Sequence, residues 1–229
     1  MFGRLVVAVV LILAVVLVVA DRVGAVVAAH AMAGRIETDA GLTSRPSVSI
    51  GGVPFLTQAV RGTYSDIRVS ATDVPVSGVN LTSLKAHLHG VHVSLTDVAH
   101  DSVSTVPVDR VDGQAYLSFA DANAYLADRG LGAHLESGGH NTVRIVDTLT
   151  VGGVSVTVSG TATASVSGNI LEVTVTTLRG PLGLELHRDI TVPLPLRDLP
   201  FRLQLSSVAI GTSGMTATAS AHDVVLTGS

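Results

Sequence analysis

Apolar residues are arranged in several patterns along the chain, and the first is an unbroken run over residues 5–20 that follows Arg4. As a helix this run spans about 24 Å, slightly less than the roughly 30 Å hydrocarbon core of a bilayer. One positive charge before such a run is typical of a secretory signal. A terminal core helix, by contrast, is seldom apolar on every face. Residues 1–20 are therefore predicted to be a retained transmembrane anchor or a cleaved signal peptide.

Residues 21–229 contain no second apolar run of this length. The positive-inside rule then predicts a single exported domain outside the cytoplasmic membrane, anchored there or secreted after cleavage. Residues 22–40 are rich in Ala and free of Pro, with Gly41 as a stop signal. This segment is predicted to be a helix that either continues the anchor or packs on a sheet. A short strand is predicted at 48–50.

Strict alternation of apolar and polar residues predicts long antiparallel strands in the domain. The longest covers 154–166, where Val, Ala and Gly alternate with Ser and Thr. Residues 171–175 alternate again after a turn at 168–169, so the two segments form a hairpin. Another strand is predicted at 215–221, and a change of phase at Gly90 indicates a β-bulge. Strands with one apolar and one polar face belong to antiparallel sheets, so the fold class is α+β.

One internal helix has clear start and stop signals. Ser118 is a good N-cap, Asp121 lies in the first turn and Gly130 follows the last turn, which predicts a helix over 119–129. Four prolines in residues 178–202 predict strands there that lie at an edge or are broken.

Composition excludes several classes of protein. The chain is 47% hydrophobic and 14% charged, which excludes a disordered protein. A net charge of −4 predicts no nucleic-acid partner. The absence of Cys excludes disulfides and thiol chemistry. Four Phe, three Tyr and no Trp make aromatic stacking platforms improbable.

Candidate chemistry is sparse. The Gly-x-Ser-x-Gly elbow, the His-Glu-x-x-His zinc motif, the P-loop and Gly-x-Gly-x-x-Gly are all absent from the sequence, which predicts no catalytic residues and no cofactor. His87 and His89 share one face of a strand, about 6.6 Å apart along it. No carboxylate has matching spacing on that strand, and Asp97 is too far along the chain. A solvated strand face is therefore expected, with no metal site.

The inward residues of the long hairpin are small, which leaves two interpretations open. One is an elongated apolar groove that holds acyl chains; the other is a tightly packed sandwich of interdigitating side chains. In the first case the lipid-contacting residues are Val154, Val156, Val158, Leu171, Val173 and Val175.

Three segments, residues 20–25, 44–58 and 62–67, resemble the LmeA-like family of actinobacterial envelope proteins. The most specific stretch is Gly-Gly-Val-Pro-Phe-Leu at residues 51–56. The resemblance implies a periplasmic phospholipid-binding protein with a long curved antiparallel sheet wrapped around a helix, as in the tubular lipid-binding (BPI-like) proteins. The mycobacterial namesake is associated with phosphoinositide-type lipids and with mannan or lipomannan elongation. The resemblance favours the groove over the sandwich.

The turn at Pro54 has two physical interpretations. In one interpretation this turn presents Phe55 and Leu56 to the membrane or to acyl chains at the groove mouth; in the other, the pair is ordinary core. Arg61 and Arg68 are candidate contacts for a lipid phosphate, because guanidinium groups bind phosphate through two hydrogen bonds, with surface solvation as the alternative.

Three functional hypotheses follow. The first is a non-enzymatic protein that binds or transfers phospholipid at the membrane and supports envelope lipid or lipoglycan synthesis. The second is a scaffold domain with a filled core that binds an envelope protein, whose identity the sequence does not indicate. The third is an esterase or glycan-modifying enzyme with an unusual site.

Overall fold

The computed structural model describes residues 2–76, 79–94, 97, 100, 103–151, 154–167, 170–180, 185–195 and 204–227. It shows an α+β protein with a long N-terminal helix and two antiparallel sheets. The helices are α1 (Phe2–Asp39), α2 (Phe55–Arg61) and α3 (Phe119–Asp128). The strands are β1 (Ser47–Ile50), β2 (Thr63–Val76), β3 (Val79–His92), β4 (Thr105–Ser118), β5 (His134–Gly139), β6 (Thr142–Val151), β7 (Val154–Ser167), β8 (Ile170–Arg179), β9 (Glu185–Pro195), β10 (Gln204–Ile210) and β11 (Gly214–Thr227).

Helix α1 is continuous, but its two parts have different surroundings. The described side chains over residues 6–20 are all exposed. From Asp21 onward every fourth residue is buried, which places Asp21, Ala25, Ala29 and Ala33 on one face. This face packs on β1 and α2. The predicted helix over 22–40 is confirmed, and it both continues the apolar run and packs on the domain.

The end of α1 follows its predicted stop signal. Gly41 has a φ of 59°, its N–H group donates to the carbonyl of Thr38, and the next N–H group, of Leu42, donates to the carbonyl of Glu37. These two bonds form a Schellman motif, in which a left-handed residue satisfies the last carbonyls of a helix. Among the described residues, Val6–Asp39 is the one segment long and apolar enough to cross a membrane.

The first sheet has six strands in the order β1-β2-β3-β4-β11-β10. Strand β1 pairs antiparallel with β2, Ile50 lying opposite Ile67, and β10 pairs antiparallel with β11. The predicted strands at 48–50 and 215–221 are therefore confirmed. Gly90 has a φ of 62°, the left-handed conformation that a bulged glycine adopts.

The second sheet has five strands in the order β5-β6-β7-β8-β9. Ser167 pairs with Ile170, so β7 and β8 form the predicted hairpin, although its turn at 168–169 lies outside the described residues. Strand β9 carries Pro193 and Pro195 and lies at the edge of this sheet. The edge position was predicted, because proline cannot donate to a neighbouring strand.

Helix α3 is capped as predicted. The Ser118 hydroxyl accepts a hydrogen bond of 3.0 Å from the Asp121 N–H group, and Gly130 follows the helix with a φ of 70°. Helix α2 was not predicted, because Pro54 at its N-cap position supplies no side-chain acceptor. The prediction of a single internal helix is therefore wrong.

The chain divides into two compact units. The first comprises residues 1–70, 86–111 and 222–229, and the second residues 71–85 and 112–221. In the second unit, one core cluster consists of Phe119, Val143, Ala162 and Ile210, with Ala162 fully buried. The partly buried side chains packed against it are Leu135, Ile145, Ala164, Val175 and Met215.

Candidate functional site

The residues that follow the apolar run hold helix α2 on α1. Asp21 is buried, and its Oδ1 atom accepts a hydrogen bond of 2.8 Å from the Leu56 N–H group in the first turn of α2. Its Oδ2 atom pairs with Arg22 Nη2 at 2.5 Å, and this guanidinium also donates to the Gly52 carbonyl at 3.3 Å. A carboxylate at a helix N-terminus satisfies a free N–H group and favours the helix dipole. Asp21 thus supplies, from 35 residues away, the cap that Pro54 lacks.

Phe55 is buried beneath this contact. Its ring lies 6.1 Å from the ring of Tyr64, centroid to centroid, and a Cβ atom added at Gly24 would lie 3.3 Å from its edge. Glycine at position 24 therefore lets α1 approach the ring closely. Burial raises the pKa of Tyr64, because desolvation disfavours the charged phenolate. The burial of Phe55 is what the core interpretation expects.

Other apolar residues around α2 remain exposed. Val53 is 79% exposed, Val60 83% and Leu56 39%, and Pro54 is also exposed at the N-cap position. We call Val53, Leu56 and Val60 the apolar surface of α2. The structure thus separates the predicted pair, with Phe55 inside the domain and Leu56 at its surface.

The glycine pair before α2 is required by close packing. Gln58 Nε2 donates to the Gly51 carbonyl at 3.1 Å, and its Oε1 atom accepts from the Ser65 N–H group at 2.9 Å. Gly52 has a φ of 86°, and a Cβ atom there would lie 2.5 Å from Gln58 Nε2. A side chain would therefore be strained and would displace Gln58. The Gly51–Gly52 pair, which belongs to the most specific stretch of the sequence, thus fixes the connection between β1 and α2.

Arg61 ends α2 at the rim of a surface pocket of about 350 Å³ in the first unit. Among the residues that the structure describes, the Arg61 guanidinium makes no hydrogen bond or ion pair. The pocket has a mixed polar and apolar lining: Arg61, Gly62, His92, Val93, Ser94, Asp97, Val103, Ser104, Thr105 and Pro107. A guanidinium that is unpaired within the described part of the chain, beside several hydroxyl groups, can hold an anionic, hydroxyl-rich group.

Arg68 has different surroundings from Arg61. Its Nη2 atom lies 2.8 Å from Asp66 Oδ2 on the same strand, so this guanidinium is already paired. Asp66 also contacts His87, whose ring lies 3.9 Å from that of His89, centroid to centroid, and is tilted by 43° to it. The sequence analysis found no carboxylate on the strand of the two histidines. Asp66, on the neighbouring strand β2, supplies one. Only the order of strands in the sheet reveals this neighbour.

Of the six proposed lipid-contacting residues of the hairpin, the structure describes the side chains of three: Val156, Val158 and Val175. Val166, Ala164 and Ala162 of β7 pair with Leu171, Val173 and Val175 of β8, respectively, in the register of the hairpin. Val156 and Val158 are half-buried, and Val175 packs on the core cluster. The side chains of Val154, Leu171 and Val173 lie outside the described residues.

Comparison with known proteins adds one positive finding. A sequence model of a family described as LmeA-like phospholipid-binding matches residues 19–220, from the end of the apolar run to β11. No curated protein matches the chain. No solved structure matches it either.

Proposed function

Since the chain belongs to the LmeA-like phospholipid-binding family, we propose that it binds phospholipid at the outer face of the cytoplasmic membrane. The match over residues 19–220 is the observation on which the proposal rests. In this role the protein is not an enzyme. It holds or transfers a lipid in support of envelope lipid or lipoglycan synthesis, mannan and lipomannan included.

Helix α1 supports the proposed location of the protein. Residues 6–20 are exposed and apolar, and the helix continues unbroken through Ala20 into the packed face at Asp21. An apolar surface of this length is stable in a bilayer and costly in water. We therefore favour a retained anchor over a cleaved signal, with Arg4 on the cytoplasmic side and the domain on the periplasmic side.

The apolar surface of α2 is the proposed point of contact with the bilayer. Asp21 directly follows the apolar run and binds the first turn of α2, so α2 lies beside the end of the proposed membrane-spanning stretch. Burying Val53 and Val60 in the acyl boundary is worth about 1.5–3 kcal/mol for each side chain. In this arrangement Leu56 contacts the bilayer, as one of the two interpretations predicts, whereas Phe55 is buried and packs beneath α2.

We further propose that acyl chains lie on the inward face of the β7–β8 hairpin. Val156 and Val158 are half-buried there while Thr157 between them is exposed, so this stretch keeps one apolar face. Ala162 is covered by the core cluster, which would close the groove at that point. The BPI-like wrap of the sheet around a helix belongs to this proposal.

The lipid phosphate is assigned to Arg61 in the same proposal. Its pocket of about 350 Å³ falls in the size range of small-molecule sites. Arg61 is available, whereas the Arg68 guanidinium is paired with Asp66. The hydroxyl groups of Ser94 and Thr105 suit the sugar-like ring of a phosphoinositide-type headgroup.

Photocrosslinking tests the acyl part of the proposal. The full chain is reconstituted into vesicles that contain a phospholipid with a diazirine on its acyl chain, and labelled peptides are identified by mass spectrometry. We expect label on β7 and β8 as well as on α1. Val156→Trp fills the groove and should abolish the hairpin label, whereas Thr157→Trp, on the exposed face, should retain it. Label confined to α1 in the wild type would contradict the groove and favour the scaffold hypothesis.

The headgroup part is tested with the same vesicles containing either phosphatidylinositol or phosphatidylcholine. Arg61→Gln should lower labelling by phosphatidylinositol about 10-fold or more, because a charge-assisted hydrogen bond contributes about 1.5–3 kcal/mol. Arg144→Gln is the matched control, since Arg144 is an exposed residue of β6 near Glu136. Equal loss in both variants would remove Arg61 from the site.

A further inference from the structure

Asp66, His87 and His89 form a compact cluster on neighbouring strands of the first unit. Each offers one ligand atom, and these atoms all lie within 4.8 Å of one another. His87 Nε2 contacts Asp66 Oδ1 directly, and the rings of His87 and His89 lie against each other with centroids 3.9 Å apart and a tilt of 43°. The two histidines share a face because strand side chains alternate, and β2 lies beside β3 in the sheet.

The surroundings orient the Asp66 carboxylate. Arg68 holds Oδ2 at 2.8 Å, while Oδ1 faces His87. Gly51 lies directly beside the carboxylate, and a Cβ atom at position 51 would collide with Oδ2. The Gly51 N–H group donates to the Asp66 carbonyl at 2.7 Å, which fixes the main chain at this point. Gly51 thus leaves space that a side chain would fill.

We propose that Asp66, His87 and His89 bind a divalent transition-metal ion, and that zinc is the ion their donors select. Two imidazole nitrogens and one carboxylate oxygen form a ligand set that zinc uses, leaving a fourth position for water. Ligand atoms about 2.0–2.2 Å from a tetrahedral zinc ion lie about 3.3 Å apart. The separations of up to 4.8 Å therefore need to close by about 1.5 Å at most, and the direct contact between His87 and Asp66 needs to open, which half-buried side chains allow.

The charges around the cluster and the partial burial of its side chains also fit a metal site of moderate affinity. The Asp66 carboxylate offsets part of the ion's charge, and Arg68 opposes it from the far side of the carboxylate. The ligand side chains are half-buried, so an ion can enter from solvent. A bound ion would join β2 to β3 beside the Gly51–Gly52 pair. This inference is independent of lipid binding.

The test measures zinc on the full chain purified in detergent. The protein is treated with EDTA, dialysed, and titrated with zinc chloride by calorimetry, with thermal unfolding followed in parallel. We expect one equivalent of zinc to bind and the midpoint of unfolding to rise. His89→Gln and Asp66→Asn should each weaken binding more than about 10-fold, since loss of an outer partner of a ligand alone costs that much. His134→Gln, on the exposed edge strand β5, is the control and should bind normally.

Each outcome decides the proposal. Loss of zinc binding in His89→Gln, with circular dichroism unchanged and the control intact, supports the site even if Asp66→Asn fails to fold. Zinc binding of equal strength in all variants would mean adventitious histidine binding and would overturn it. Absence of binding at millimolar zinc in the wild type would overturn the proposal and leave a simple contact between Asp66 and His87.

Discussion

The contact between Asp21 and helix α2 is the structural feature most open to a direct test. Replacing Asp21 by Ala leaves the Leu56 N–H group without its acceptor, in a place where Pro54 offers none. Hydrogen bonds to charged groups contribute about 1.5–3 kcal/mol, and the bond from Leu56 to Asp21 is partly buried. We therefore expect Asp21→Ala to destabilise the docking of α2 by about 1.5–3 kcal/mol.

The neighbouring ion pair supplies the control. The Arg22 side chain is 47% exposed, and ion pairs at such sites contribute about 0–1 kcal/mol. Arg22→Gln should therefore cost less than about 1 kcal/mol, because Asp21 still accepts from Leu56. Asp21→Asn should give an intermediate loss, since its amide oxygen can replace the charged acceptor with a neutral one.

Hydrogen exchange of the full chain in detergent micelles measures the effect locally. If α2 opens independently of the rest, a loss of 1.5–3 kcal/mol raises exchange of its amides by about 10-fold to 150-fold. Peptides covering β7 should be unchanged in the same experiment. If Asp21→Ala leaves the α2 amides as protected as in the wild type, or if Arg22→Gln has an equal effect, the assignment of Asp21 as the cap is wrong.

Two further predictions concern α1 and α3. Gly24→Ala places a Cβ atom 3.3 Å from the Phe55 ring, so overpacking should offset the gain in helix propensity and leave this variant about 1–3 kcal/mol less stable than Gly34→Ala, as measured by chemical denaturation. Gly34→Ala meets only an arginine side chain at 3.6 Å and should be neutral or stabilising by up to about 1 kcal/mol, so equal effects would contradict this packing. Hydrogen bonds from Ser118 and Thr82 hold the pKa of Asp121 below its usual value of 3.8. The ionised carboxylate therefore stabilises the fold at neutral pH and loses this contribution as the pH falls below about 4, so thermal unfolding of Asp121→Asn should depend less on pH from 5 to 2 than that of the wild type.

Part of the proposed site could be predicted from local pattern. The alternation over 154–166 predicts which residues of β7 face inward, and the exposed Thr157 between half-buried Val156 and Val158 agrees with it. Arg61 was identified by its nearness to the glycine–proline motif, and it does line a pocket. The pairing of Arg68 with Asp66 was missed, although the two residues lie two apart on one strand and alternation places them on the same face.

The sequence by itself determined the elements whose signals are local: the apolar helix, its end at Gly41, the capped helix α3 and the two-faced strands. In each case the free energy depends on residues within one or two turns or on simple alternation. Tertiary structure alone decided the start of α2, because its cap comes from Asp21, 35 residues earlier. It also decided that Asp66 meets His87 and His89, since the order of strands brings β2 beside β3. Contacts between distant segments depend on strand order and register, which local patterns do not specify.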